Sequence, residues 1–100
     1  MANPEHLEIL KQGGKAWNFW RLRHKDVCPK LGRAELSHVG LTAADLSHAD
    51  LGRAILCRAD LSGADFREAD LTHSDLSGSL LVGADFSRAI SPARTSPVPA

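Results

Sequence analysis

The sequence predicts an all-β solenoid with an N-terminal α-helical cap. A leucine or phenylalanine recurs every five residues from 36 to 86, and a small residue usually stands two positions before it. A five-residue step turns an α-helix by about 140° net, so these apolar residues would not share one side. On a straight strand the same step reverses the facing of alternate residues. The period therefore indicates a chain that turns after every short extended piece and winds round a core.

The N-terminal segment, residues 1–30, is predicted to be the helical cap of the solenoid. Asn3 is a good N-cap and Pro4 suits the first helical position, so a helix should begin at Pro4. Gly13 and Gly14 could break it, and helix is expected on either side of them. The aromatic residues at 17, 19 and 20, including Phe19, are expected to plug the first coil. The residues predicted to contact the solenoid are Leu7, Leu10, Trp17 and Trp20.

The repeat segment, residues 31–90, supplies the predicted core. Asp commonly precedes the apolar centre of each unit, and two turn-compatible residues commonly follow it. Each unit is therefore predicted to be a short extended piece with two inward side chains, followed by a turn. The predicted core centres are Leu36, Leu41, Leu46, Leu51, Leu56, Leu61, Phe66, Leu71, Leu76, Leu81 and Phe86.

The units ADLSH, ADLGR, ADLSG, ADFRE and ADLTH fit the motif A-(D/N)-L-x-x, and residues 34–90 resemble the pentapeptide-repeat proteins. The resemblance implies a right-handed quadrilateral β-helix with four pentapeptides per coil and, for this segment, about three coils. Phe66 and Phe86 would then stack in adjacent coils. NPEHL, ILKQG and AWN-x-W resemble an N-terminal extension found before some bacterial pentapeptide arrays. Residues 91–100, SPARTSPVPA, are predicted to be a disordered Pro/Ser-rich tail.

Charge and composition limit the classes of function. Residues 1–33 carry a net charge of +4 and residues 34–90 a net charge of -5, although the whole chain is neutral. The sequence shows no signal peptide and no apolar run long enough to span a membrane, so a cytoplasmic protein without membrane contact is expected. Cys28 and Cys57 lack metal-site or disulfide spacing and are expected to be reduced thiols. No cofactor or metal is predicted.

The polar residues do not predict a catalytic site. Asp45, Asp65 and Asp85 would form a column, and each carboxylate is expected to bond locally to its turn or to neighbouring Ser and Arg groups. The histidines do not converge and are expected to be solvated on the surface. They are His6, His24, His38, His48 and His73. We therefore predict that the protein is not an enzyme.

The predicted function is a scaffold for protein–protein interaction or self-assembly, because a repeat scaffold works through its outer surface. Leu80, Val82 and Ile90 place apolar side chains at outward positions late in the repeats, and they are the candidate interface of a homodimer through the C-terminal coil. The alternatives are that the tail folds over them or that they are scattered surface residues. The alternative function is a DNA mimic that binds DNA gyrase or another topoisomerase, which the acidic repeats would suit. Direct nucleic acid binding is not predicted.

Overall fold

The computed structural model describes residues 2–90, so the predicted tail at 91–100 lies outside the described residues. Helix α1 spans Pro4–Lys11 and helix α2 spans Gly14–Arg23. The Asn3 side chain accepts hydrogen bonds from the backbone N–H groups of Glu5 and His6, which are free at the start of a helix. Gly13 separates the helices at φ 110°, in a region that favours glycine. The predicted helix start and the expected helix on either side of the glycine pair are confirmed. The structure also shows that the helix breaks at this pair, which the sequence left open.

The segment from residue 30 to residue 90 forms stacked coils rather than long strands. Its β-structure consists of isolated parallel bridges, and every bridge joins two residues that are twenty apart in the sequence. The chain therefore passes beside itself every twenty residues, with four bridged positions in each turn of the coil. The bridges form four columns that define four faces. Face 1 carries Lys30, Asp50, Asp70 and Ile90; face 2 Glu35, Ile55 and Asp75; face 3 Gly40, Asp60 and Leu80; face 4 Asp45, Asp65 and Asp85.

A tight turn joins each pentapeptide to the next. In the turn after Leu31, Arg33 has a left-handed backbone at φ 62° and the Ala34 N–H donates to the Leu31 carbonyl at 3.0 Å. Nine residues other than glycine adopt this left-handed conformation at the equivalent position. The conformation costs about 1 kcal/mol or more for such a residue. The hydrogen bonds of the turn and to the adjacent coils offset that cost.

The Asp of the motif holds each turn from the outside. The Asp50 carboxylate, for example, accepts a hydrogen bond from the Gly52 N–H at 3.1 Å, two residues later. The other members of this set are Asp45, Asp60, Asp65, Asp70, Asp75 and Asp85. Hydrogen bonds to the ionised form lower the pKa of these carboxyl groups. The Thr72 and Ser87 hydroxyls, with the backbone N–H groups of the same residues, lower the pKa values of Asp70 and Asp85. The Ser62 backbone N–H is the main cause of the lowered pKa of Asp60. The expected local bonding of the carboxylates is confirmed.

The core is a column of leucines with one aromatic pair. The centres from Leu36 to Leu76, Phe66 among them, are no more than 1% exposed. The rings of Phe66 and Phe86 stack with centroids 4.8 Å apart and planes 2° from parallel, which confirms the predicted pairing. Ser74 and Ser79 occupy buried positions that elsewhere hold Ala, and their hydroxyls donate to the Leu71 and Leu76 carbonyls. The small position of the repeat thus tolerates Ser because its hydroxyl finds a partner.

Candidate interaction surfaces at the two ends of the coil stack

Helix α2 covers the first coil and bonds to its exposed backbone. Trp17 is fully buried, and its indole Nε1 donates to the Asp45 carbonyl at 2.6 Å. The Asn18 amide donates to the Ala43 carbonyl at 2.9 Å and accepts from the Asp45 N–H at 2.7 Å. These contacts place α2 against face 4 at the start of the stack.

These side chains supply the hydrogen-bond partners that a preceding coil supplies elsewhere in the stack. Inside the stack, the Asp65 N–H donates to the Ala44 carbonyl of the preceding coil at 2.9 Å. Asp45 is the equivalent residue of the first coil, and its N–H donates to the Asn18 side chain instead. Buried backbone groups that lose their partners cost free energy, so this substitution protects an edge that would otherwise be open.

Helix α1 performs the same task on face 1. His6 is 6% exposed, and its Nδ1 accepts a hydrogen bond from the Lys30 N–H at 3.0 Å. The Asn3 N–H donates to the Lys30 carbonyl at 2.8 Å. The His6 ring also lies against Trp20 at 4.9 Å, and burial lowers the pKa of His6. The expectation that His6 is a solvated surface histidine is wrong, because its acceptor nitrogen is used to cap the backbone.

The cap contacts predicted from the helical pattern divide into two groups. Leu10 and Trp17 are fully buried in the core, while Leu7 and Trp20 are half-buried and pack against it. Phe19 is 62% exposed and lies under the Arg23 guanidinium, so the expectation that it plugs the first coil is wrong. Phe19 falls about 200° round the helix from Trp17, which turns it towards solvent.

Among residues 2–90, the coil at 71–90 comes last, and no described segment covers it on faces 3 and 4 as the helices cover the first coil. Leu81 and Phe86 are only partly buried, whereas Leu61 and Phe66, twenty residues earlier, are fully buried. Leu41, the equivalent of Leu81 in the first coil, is also fully buried. The difference arises because Leu61 and Phe66 lie between two coils, and Leu41 lies between the helical cap and the second coil.

The three residues of the predicted interface lie round this end of the described stack. Leu80 is 42% exposed on face 3, and Val82 is 56% exposed in the turn that follows. Ile90 is 56% exposed and lies on face 1, so it is across the coil from Leu80 rather than beside it. We call these three residues, with Leu81 and Phe86, the open end.

Some backbone groups near the open end have no partner among the described residues. Within residues 2–90, the N–H groups of Leu81 and Phe86 donate to no acceptor, and the carbonyls of Ala84 and Ala89 accept from no donor. Backbone edges of this kind pair readily with another chain. The open end therefore combines apolar side chains with backbone groups that have no partner within residues 2–90.

The described residues show no arrangement suited to metal or thiol chemistry. Residues 2–90 contain no group of three or more His, Cys, Asp or Glu side chains placed to hold a metal ion. The Cys57 thiol donates to Asp75, and this bond together with burial raises its pKa. A raised pKa reduces the thiolate fraction, so Cys57 is not activated as a nucleophile. Neither helix in the described part of the chain is long and apolar enough to cross a membrane.

Comparison with protein families agrees with the coil geometry. A family model for pentapeptide repeats matches eight copies of the repeat, over residues 34–72 and 69–90. The match covers more than half of the chain, and the protein belongs to the pentapeptide-repeat family. It does not reach residues 1–33, so the resemblance of the cap to a known N-terminal extension stays a prediction. No curated protein gives a significant match to the chain.

Proposed function

We propose that this protein is a non-enzymatic scaffold, built on a right-handed quadrilateral β-helix, that binds a second copy of itself through the open end. Pentapeptide-repeat proteins are generally non-enzymatic scaffolds, and their outer surfaces provide the means of interaction. One observation carries the proposal: side chains of the cap satisfy the backbone of the first coil, while the coil at 71–90 has backbone groups without a partner among residues 2–90, beside partly exposed core residues.

A second copy is the partner whose surface matches these features. Two open ends that meet about a two-fold axis bring Leu81 and Phe86 of each copy against apolar side chains of the other. Such a contact removes apolar area from water at about 25 cal/mol per Å² and lets unpaired strand edges bond to each other. The helical cap covers the opposite end of the stack, so end-to-end contact stops at two copies and does not extend into a fibre.

Size-exclusion chromatography with light scattering tests the proposal on the full chain. The wild type should show a dimer that dissociates on dilution, and the double variant Leu80→Asp, Val82→Ser should be a monomer. The matched control is Ile55→Asp, because Ile55 occupies the same repeat position as Leu80 and is 37% exposed, but lies on the middle coil. It should leave the dimer intact. A wild type that is monomeric at high concentration refutes the proposal.

The alternative of a DNA mimic depends on the acidic repeats. The carboxylates have local roles, since each Asp of the motif accepts from its own turn, and Arg67 bonds both oxygens of Asp65. Arg88 and Arg67 also add positive charge to face 4. No feature of the described residues favours mimicry over self-association, and a pull-down with purified DNA gyrase separates the two functions. A cytoplasmic location and a bacterial origin stay predictions.

A further inference from the structure

A groove of about 470 Å³ lies between the C-terminal part of helix α2 and the face 4 turn of the first coil. We call it the cap groove. The residues that line it are Asn18, Arg21, Leu22, Lys25, Asp45, Ser47 and His48. It is separate from the open end, because its walls come from the cap and the start of the stack.

Arg21 is the unusual member of this wall. Its side chain is 8% exposed, and Nη2 donates to the Ser47 carbonyl at 3.0 Å and to the Ser47 hydroxyl at 3.2 Å. Nη1 is closed to solvent and has no hydrogen-bond acceptor among residues 2–90. A buried charged group with unused donors is costly, and such groups in native proteins call for an explanation.

Asp45 is the nearest carboxylate, and it does not meet this need. Its Oδ1 lies 3.8 Å from Arg21 Nη2, beyond hydrogen-bond distance. The same oxygen accepts from the Ser47 N–H at 3.1 Å and from the Ser47 hydroxyl at 2.6 Å. Asp45 is therefore held in the turn interaction that every Asp of the motif makes, and the Arg21 guanidinium keeps unused donor capacity.

The charges of the cap groove favour an anion. Arg21 and Lys25 are positive and Asp45 is negative, which leaves a net charge of +1 with His48 neutral. Leu22 adds an apolar wall and is 69% exposed. We propose that the cap groove binds a carboxylate or phosphate group attached to a small apolar body, with the anionic oxygens between Arg21 and Lys25. Arginine pairs well with such planar or clustered oxygens because its donors form a fork.

Entry of the anion to Arg21 Nη1 requires a side chain of the groove wall to move, because this atom is closed to solvent in the present arrangement. Leu22 and Lys25 are exposed members of the wall and are free to change rotamer. A small ligand of this kind is expected to bind with an affinity on the order of millimolar.

NMR titration of the full-length protein tests this inference, with N-acetyl-leucine as the carboxylate probe and inorganic phosphate as the phosphate probe. The Arg21 side-chain N–H signals and the Lys25 amide should shift and saturate. N-acetyl-leucinamide is the matched probe, because it keeps the apolar body and lacks the charge, and it should not bind. Lys25→Gln should weaken binding about tenfold, whereas Lys15→Gln, at an exposed lysine of the same cap outside the groove, should not.

The outcomes separate specific binding from general attraction of anions. Saturation by either anionic probe, with the Lys25 effect, supports the site, and the probe that binds identifies the source of the oxygens. Absence of saturation at tens of millimolar probe, equal binding of the amide, or equal effects of the two lysine variants overturns it. Neither result changes the oligomer test, since Leu80 and Val82 lie outside this groove.

Discussion

Asn18 provides the sharpest test of how the cap seals the first coil. Its amide makes two hydrogen bonds to backbone, one to the Ala43 carbonyl at 2.9 Å and one from the Asp45 N–H at 2.7 Å. The variant Asn18→Ala removes both. A hydrogen bond contributes about 1 kcal/mol net, so the loss is about 2 kcal/mol. Alanine is the better helix former by about 0.5 kcal/mol, which leaves a net destabilisation of about 1.5 kcal/mol.

Urea unfolding followed by tryptophan fluorescence measures this effect directly, because both tryptophans of the chain lie in helix α2. The melting temperature should also fall, by roughly 4–8 °C for each kcal/mol in a domain of this size. The control is Phe19→Ala, at a neighbouring position that is 62% exposed, which should change the free energy of unfolding by less than about 0.5 kcal/mol. If Asn18→Ala lowers the free energy of unfolding no more than this control does, the Asn18 side chain does not seal the edge of the first coil.

Three further predictions concern stability. Burial lowers the pKa of His6 in the folded protein below the ordinary value of 6.5. The contribution of neutral His6 to the free energy of unfolding is therefore present above pH 6.5 and is lost as the pH falls towards the folded pKa. The urea midpoint of the wild type should drop across this pH range, and that of His6→Gln should drop less. Leu61→Ala should lower the free energy of unfolding by about 3 kcal/mol and Leu81→Ala by about 1 kcal/mol, because only Leu61 is fully buried. Both variants are measured by thermal unfolding in the monomeric Leu80→Asp, Val82→Ser background. Equal losses would show that Leu81 is as well covered as Leu61. Gly14→Ala should destabilise the protein by about 1 kcal/mol or more, although alanine favours helix, because the new Cβ would lie 2.8 Å from the Thr42 carbonyl oxygen. A melting temperature by calorimetry at or above that of the wild type would contradict this close contact.

The number of five-residue units in each coil could not be predicted from the period alone. The five-residue period predicted short extended pieces with turns between them, and the resemblance added four such pieces per coil. The parallel bridges between residues twenty apart agree with that number. Asp50 and its equivalents followed a local rule, because a carboxylate two residues before a turn N–H reaches it within a single unit.

The cap was less predictable. Asn3 and the glycine pair act within a few residues of the chain, so the helices followed from the sequence. The pairing of Asn18 with Asp45 spans 27 residues, and no local pattern states which side chain will meet which backbone group. The exposure of His6 and Phe19 does not follow from the sequence for the same reason, since it depends on how the two helices lie on the first coil.

The repeating core can be predicted from the sequence alone, because the inward position of each leucine depends on the residues of its own five-residue unit, and that unit repeats. The two ends of the stack depend on long-range contacts, because the repeat stops there and each backbone group either meets a substitute partner or does not. Trp17 and Asn18 supply substitutes at the start of the stack. Within the described residues, the backbone N–H groups of Leu81 and Phe86 have no such partner at the other end of the stack. Whether a backbone group meets a partner depends on which residues lie beside it in space, and the local sequence does not state this.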